Sequence, residues 1–136
     1  MKLLNEHEVE YLLIGGYAVG YYGYPRYTGD MNFWIAVNPA NAKRMVEVMR
    51  AFGFDSPELT PELFQNEKLI LRMGVEPYRL EVMTRIDGVE FSDCYSRRVI
   101  AEIDGVKVNL ISLGDLKRNK QASRRLKDLA DLENLP

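Results

Sequence analysis

The chain has 136 residues, which suits a single domain spanning residues 1–136; at this length folding buries roughly 70% of the surface the unfolded chain exposes. It carries 18 Lys and Arg against 20 Asp and Glu, a net charge of −2 that excludes nucleic-acid binding driven by bulk positive charge, and its 46% hydrophobic and 28% charged residues are those of a folded protein. One cysteine, Cys94, and one histidine, His7, exclude an intrachain disulfide and a Cys/His zinc site, and no apolar run approaches the ~18 residues of a membrane span, so a cytoplasmic setting is expected.

Helix and strand patterns alternate along the chain, which points to an α/β or α+β fold. Residues Lys2 to Glu10 read as a short helix. Tyr11-Leu12-Leu13-Ile14 is a short apolar run that ends at Gly15-Gly16, the pattern of a buried strand. Tyr17 to Tyr22 reads as a helix opened by the glycine pair, and Gly23 to Gly29 as a loop. Asp30 to Val37 alternates as a strand, with Met31, Phe33, Ile35 and Val37 on one side and Asp30, Asn32, Trp34 and Ala36 on the other. Asn38-Pro39 is a helix start, and Ala42, Met45, Val46, Met49 and Phe52 fall on one helical face before Gly53 stops it. Asp55 to Pro61 is a turn-rich connection. Lys68 to Met73 and Tyr78 to Met83 predict two strands in an antiparallel hairpin. Val99 to Ile103 and Val106 to Leu110 flank Asp104-Gly105, a strong hairpin signal. Ser112, with Asp115 three residues on, predicts a helix cap, and the tail to Leu135 reads as amphipathic through Leu116, Leu126, Leu129 and Leu132.

Chemistry in this chain is left to carboxylates, backbone amides and basic side chains, since neither His7 nor Cys94 has the sequence context of a nucleophile–base pair. Gly15-Gly16 closes a strand and opens a helix, where backbone N–H groups can approach an anion without an intervening Cβ. Asp30 and Asn32 stand two apart on a strand, so their oxygens share one face and can hold the same cation. Glu81 interrupts an apolar run on another strand and shares its face with Arg79 and Met83.

The order of these features, Ile14-Gly15-Gly16, thirteen residues, then Asp30-Met31-Asn32-Phe33, resembles the signature of the nucleotidyltransferase superfamily. The stretch from Tyr11 to Phe54, and the tail from Asn119 to Asp131, are similar to small stand-alone bacterial members of that superfamily. The resemblance implies a mixed sheet backed by helices. It implies transfer of a nucleoside monophosphate from a nucleoside triphosphate to a hydroxyl of a protein or an RNA end, with release of pyrophosphate. It further implies Mg²⁺ or Mn²⁺, two ions clamping the attacking and leaving oxygens, with Asp30, Asn32 and Glu81 as the catalytic and metal-holding set. Gly15 and Gly16 would then cradle the phosphates of the nucleotide, and Lys120 would lie near them. Arg26 and Thr28, just before Asp30, either orient a phosphate or fix their loop. Relatives of this size often work in toxin–antitoxin or phage-defence pairs, which makes a protein partner an expectation by resemblance.

The chain departs from the pattern at two positions. Asn32 stands where the superfamily usually has a second Asp, so one formal charge is missing from the expected metal site. Gly16 stands where many relatives have Ser, which removes a hydroxyl donor but keeps the amide. Asn32 therefore favours reduced activity, or the alternative of a catalytically silent nucleotidyltransferase-fold module that works by binding, as an antitoxin does. Lys117, Arg118, Lys120, Arg124, Arg125 and Lys127 form a basic cluster that reads either as a solvated helix end paired with Asp128 and Asp131 or as a phosphate- or RNA-facing patch.

Overall fold

The computed structural model describes residues 1–23, 30–74 and 79–136. In chain order these form α1 (Lys2–Glu6), β1 (Tyr11–Ile14), α2 (Gly15–Tyr21), β2 (Asp30–Ile35), α3 (Pro39–Ala51), α4 (Pro61–Phe64), β3 (Ile70–Met73), β4 (Arg79–Met83), α5 (Phe91–Ser96), β5 (Val99–Ile103), β6 (Val106–Leu110), α6 (Leu113–Ser123) and α7 (Leu126–Asn134). The strands make one mixed sheet in the order β3-β4-β2-β1-β6-β5, flanked by helices, an α+β architecture.

Both expected hairpins are present, β3 with β4 and β5 with β6. At the second, Asp104 and Gly105 have φ of 52° and 79°, the positive values a two-residue hairpin turn demands. β1 also pairs antiparallel with β2. The remaining contacts are parallel and bring distant segments together, β2 beside β4 and β1 beside β6.

All four β1 residues are buried, as their apolar run requires of a central strand. Ala42, Met45, Val46 and Met49 of α3 are buried with them. The Asn38 side chain caps α3 by accepting from the Asn41 N–H at 2.8 Å. Asn41 is itself fully buried, and its amide ties α3 to the start of β1: Oδ1 accepts from the Glu10 N–H at 2.8 Å, and Nδ2 donates to the carbonyls of Glu10 and Ala36. Trp34 packs edge-on against Phe91 of α5, 5.1 Å between centroids, and donates its indole N–H to the Thr84 carbonyl.

The structure corrects several expectations. α1 ends at Glu6, because Glu8 takes a positive φ that turns the chain into β1. β2 ends at Ile35, and β3 begins at Ile70. Phe52 does not join the buried face of α3; it is exposed and stacks on Phe54. The short helices α4 and α5 were not foreseen, since four and six residues are too few for a periodic signal.

The largest correction is in the tail. The expected single amphipathic helix is two, broken at Arg124, whose φ of 55° is left-handed. In α7 the sidedness is reversed: Leu126 is 87% and Leu129 42% exposed, while Asp128 and Asp131 are buried. The cause is Lys120. Its buried ammonium lies 2.8 Å from Asp128 Oδ1 and 3.2 Å from Asp131 Oδ2. A buried charge must be paired, so α7 turns Asp128 and Asp131 inward rather than Leu126 and Leu129.

Candidate functional site

The two-residue period of β2 places Asp30 and Asn32 on one sheet face. Parallel pairing with β4 sets Asp30 opposite Arg79 and Asn32 opposite Glu81. Antiparallel pairing with β3 sets Arg72 opposite Glu81, and β1 brings Ile14 opposite Asn32, with Gly15 next in the chain. Residues from four strands and one strand–helix junction therefore meet on one patch of sheet.

Gly15 is required at that junction. Its φ is +70°, and a Cβ placed on it would lie 2.7 Å from Asn32 Nδ2. Glycine thus permits both the backbone turn and the close approach of the Asn32 amide. Gly15→Ala should lower stability by about 1–3 kcal/mol through the left-handed backbone alone. Gly20→Ala in the same helix, where a Cβ would meet nothing within 4 Å, should be neutral or slightly stabilising. Thermal unfolding of the two variants checks this, and equal melting temperatures would contradict it.

Both carboxylates of the patch are held by arginines. Arg79 Nε donates to Asp30 Oδ1 and Arg72 Nε to Glu81 Oε2, each at 2.6 Å. Asn32 differs: its Oδ1 is buried and accepts no hydrogen bond among the described residues. An unsatisfied buried acceptor costs about 1–3 kcal/mol, which a ligand to that oxygen would relieve. The N-cap residue of α2 is Ile14, whose side chain offers the amides of the first turn no capping oxygen.

The donor chemistry bears on the expected metal. Asp30, Asn32 and Glu81 supply hard oxygens suited to Mg²⁺ or Mn²⁺, and the orphaned Oδ1 gives one of them an open acceptor. Two carboxylates balance one divalent ion. They do not balance two, least of all with two guanidiniums already on the patch. Among the described residues no three His, Cys, Asp or Glu side chains form a group that could hold a metal ion, and here an amide, that of Asn32, stands between the two carboxylates. The residues present fit one ion.

Arg26 and Thr28 lie outside the described residues. Lys120 gives its ammonium to Asp128 and Asp131 in the α6–α7 core. Other basic residues of the tail are also paired, Arg118 to Asp115 at 2.8 Å and Arg125 to Asp128 at 2.7 Å. Buried Asp115 also binds Arg97 through two hydrogen bonds. Burial pushes the Cys94 thiol up to about 11, aided by the neighbouring Asp115 carboxylate, so Cys94 is no nucleophile at neutral pH. Arg72 and Arg79 were not expected at the site. Arg79 had a signal, since it shares the Glu81 face of its strand; Arg72 had none before the β3–β4 register was known.

No protein-family pattern matches the chain, and no curated protein does. Among solved structures, the chain is similar to a Thermotoga maritima protein described as a candidate nucleotidyltransferase, at 19% identity and a TM-score of 0.58. The match covers 97% of this chain and 83% of that one. The fold is therefore a nucleotidyltransferase fold, as the glycine–carboxylate signature implied. No described helix is long and apolar enough to cross a membrane.

Proposed function

We propose that this chain is a nucleotidyltransferase that binds a nucleoside triphosphate with a single Mg²⁺ or Mn²⁺ on the Gly15–Asp30–Asn32–Glu81 patch and transfers the nucleoside monophosphate slowly. The observation that carries the reading is the β2–β4 register, which sets Asn32, with its unpartnered Oδ1, beside Glu81 on the patch that holds Asp30. Asp30, Asn32 Oδ1 and Glu81 are the ligands for the ion. When bound, it supplies charge neutralisation at the phosphate oxygens. The amides of Gly15 and Gly16 donate to the phosphates. The acceptor hydroxyl of a protein side chain or an RNA end attacks the α-phosphorus, the bond to the pyrophosphate oxygen breaks, and Glu81 accepts the hydroxyl proton. The rate is low because Asn32 is neutral, which leaves the ion with one charge fewer than three carboxylates would give it.

A second reading is a silent member of the same fold, working as a nucleotide-binding or antitoxin-like module beside a protein partner. The observation favouring it is that, among the described residues, an arginine already holds each of Asp30 and Glu81.

Triphosphates labelled at the α-phosphate, incubated with Mg²⁺ or Mn²⁺, total RNA and candidate protein acceptors, separate the two. Slow label transfer is expected, falling at least about a hundredfold in Asp30→Ala and Glu81→Gln. Binding of triphosphate with no transfer under any condition would establish the silent member. Absence of any binding would remove both readings.

A further inference from the structure

Arg72 and Arg79 are placed to do more than neutralise a patch. Each faces its carboxylate across a strand pair, Arg72 across β3–β4 and Arg79 across β2–β4. Each holds that carboxylate through Nε, at 2.6 Å. Arg72 is far more open than its partner and Arg79 moderately so: the side chains of Arg72 and Glu81 are 68% and 11% exposed, those of Arg79 and Asp30 37% and 24%. Among the described residues β3 is the edge strand of the sheet, and the Arg72 side chain on it is 68% exposed. The guanidinium of Arg72 rides on a long, exposed stem, and that of Arg79 on a half-exposed one.

We propose that Arg72 and Arg79 exchange partners during binding. Without ligand they neutralise Glu81 and Asp30. When a divalent ion takes those carboxylates, the guanidiniums turn to the triphosphate and become its binding residues. The proposal rests on the nucleotide-binding reading of the same patch and adds to it the groups that hold the phosphates. Charge drives the exchange. A divalent ion arriving at the unaltered patch would meet two guanidiniums already bonded to its ligands, whereas triphosphate draws them away. Guanidinium forks match phosphate oxygens as well as they match carboxylates, so the displaced arginines lose no hydrogen-bonding capacity. Ion and nucleotide then raise each other's affinity, because each releases the group the other needs.

The exchange predicts opposite effects of one substitution on two ligands. In Arg72→Gln, Mn²⁺ alone, followed by electron paramagnetic resonance, should bind about tenfold more tightly, since a competing cation is gone. Tripolyphosphate and ATP, titrated in EDTA by calorimetry, should bind about tenfold more weakly, the loss of one charged hydrogen bond. Arg79→Gln should move both the same way. Arg72→Lys, which keeps the charge, should stay within about threefold of the native protein for both ligands. The high exposure of Arg72 lets these variants fold, which thermal unfolding verifies. If Arg72→Gln leaves Mn²⁺ affinity unchanged or weakens it while the native protein binds ATP, the exchange is wrong and the arginines are structural. If the native protein binds neither tripolyphosphate nor any nucleoside triphosphate, the function reading fails, and the exchange with it. That outcome is read before any variant is made, so the two failures are distinct.

Discussion

Replacing Lys120 with alanine should destabilise the folded chain by about 3–5 kcal/mol, the usual cost of removing one partner of a buried ion pair. The magnitude follows from what is left behind. The side chains of Asp128 and Asp131 are 0% and 2% exposed, and Lys120 Nζ binds both. Without it, two buried carboxylates face each other's surroundings with fewer donors. Asp128 would keep Arg125 at 2.7 Å and the hydrogen bond from Ser123 Oγ; Asp131 would lose its ion pair with Lys120. Urea unfolding at pH 7 measures the loss, and a change below about 1 kcal/mol would show that α7 docks by other means.

The same cluster sets an acid limb. Burial by itself would raise the Asp128 carboxyl, but hydrogen bonds from Lys120, Ser123 and Arg125 outweigh it and hold the group at about 2, against an ordinary 3.8. A carboxyl depressed in the folded state stabilises fully above its unfolded value, and that stability is lost as pH falls from about 3.8 through 2. The contribution is on the order of 2 kcal/mol. In Lys120→Ala the acid transition should begin at higher pH, because a principal donor to the charged form is missing. An unchanged acid midpoint would contradict this.

Asn32→Asp should have the second large effect, on the ion rather than on the fold. The substitution adds one formal negative charge to a patch where, among the described residues, each carboxylate is paired with an arginine. A unit charge pair near a protein surface interacts by roughly 4 kcal/mol at 4 Å, and desolvation offsets part of it. Mn²⁺ affinity should therefore rise about a hundredfold, and the rate of label transfer should rise with it. The free protein should lose a little stability, because the third carboxylate sits beside Glu81 with no new partner. A transfer rate that rises while metal affinity stays fixed would place the defect in the acceptor step instead. No change in affinity would mean that Asn32 is not an ion ligand.

The local devices were legible because they are written in adjacent residues. The caps Asn38 and Ser112, the Asp-Gly turn and the buried run of β1 each need only a few neighbouring side chains. Asp30 and Asn32 share a face by strand period alone, and Gly15-Gly16 marks its junction by lacking side chains. The tail was misread for the same reason. Leucine spacing is a local signal for which side of a helix is buried, and it was overruled by an ammonium one helix away that required carboxylates.

By itself, then, the amino-acid order determined the six strands, the two hairpins and the helices after Gly15 and Asn38, since period, cap and turn chemistry act over a few residues. It also determined the missing charge at Asn32, which no fold can restore. The tertiary structure decided which faces meet. Parallel pairing of β2 with β4 joins segments about fifty residues apart, and no turn residue encodes that register. It is that pairing, with β3 at the edge, that sets Glu81 beside Asn32 and puts Arg79 and Arg72 on the carboxylates, turning a row of acidic positions into a charge-balanced patch.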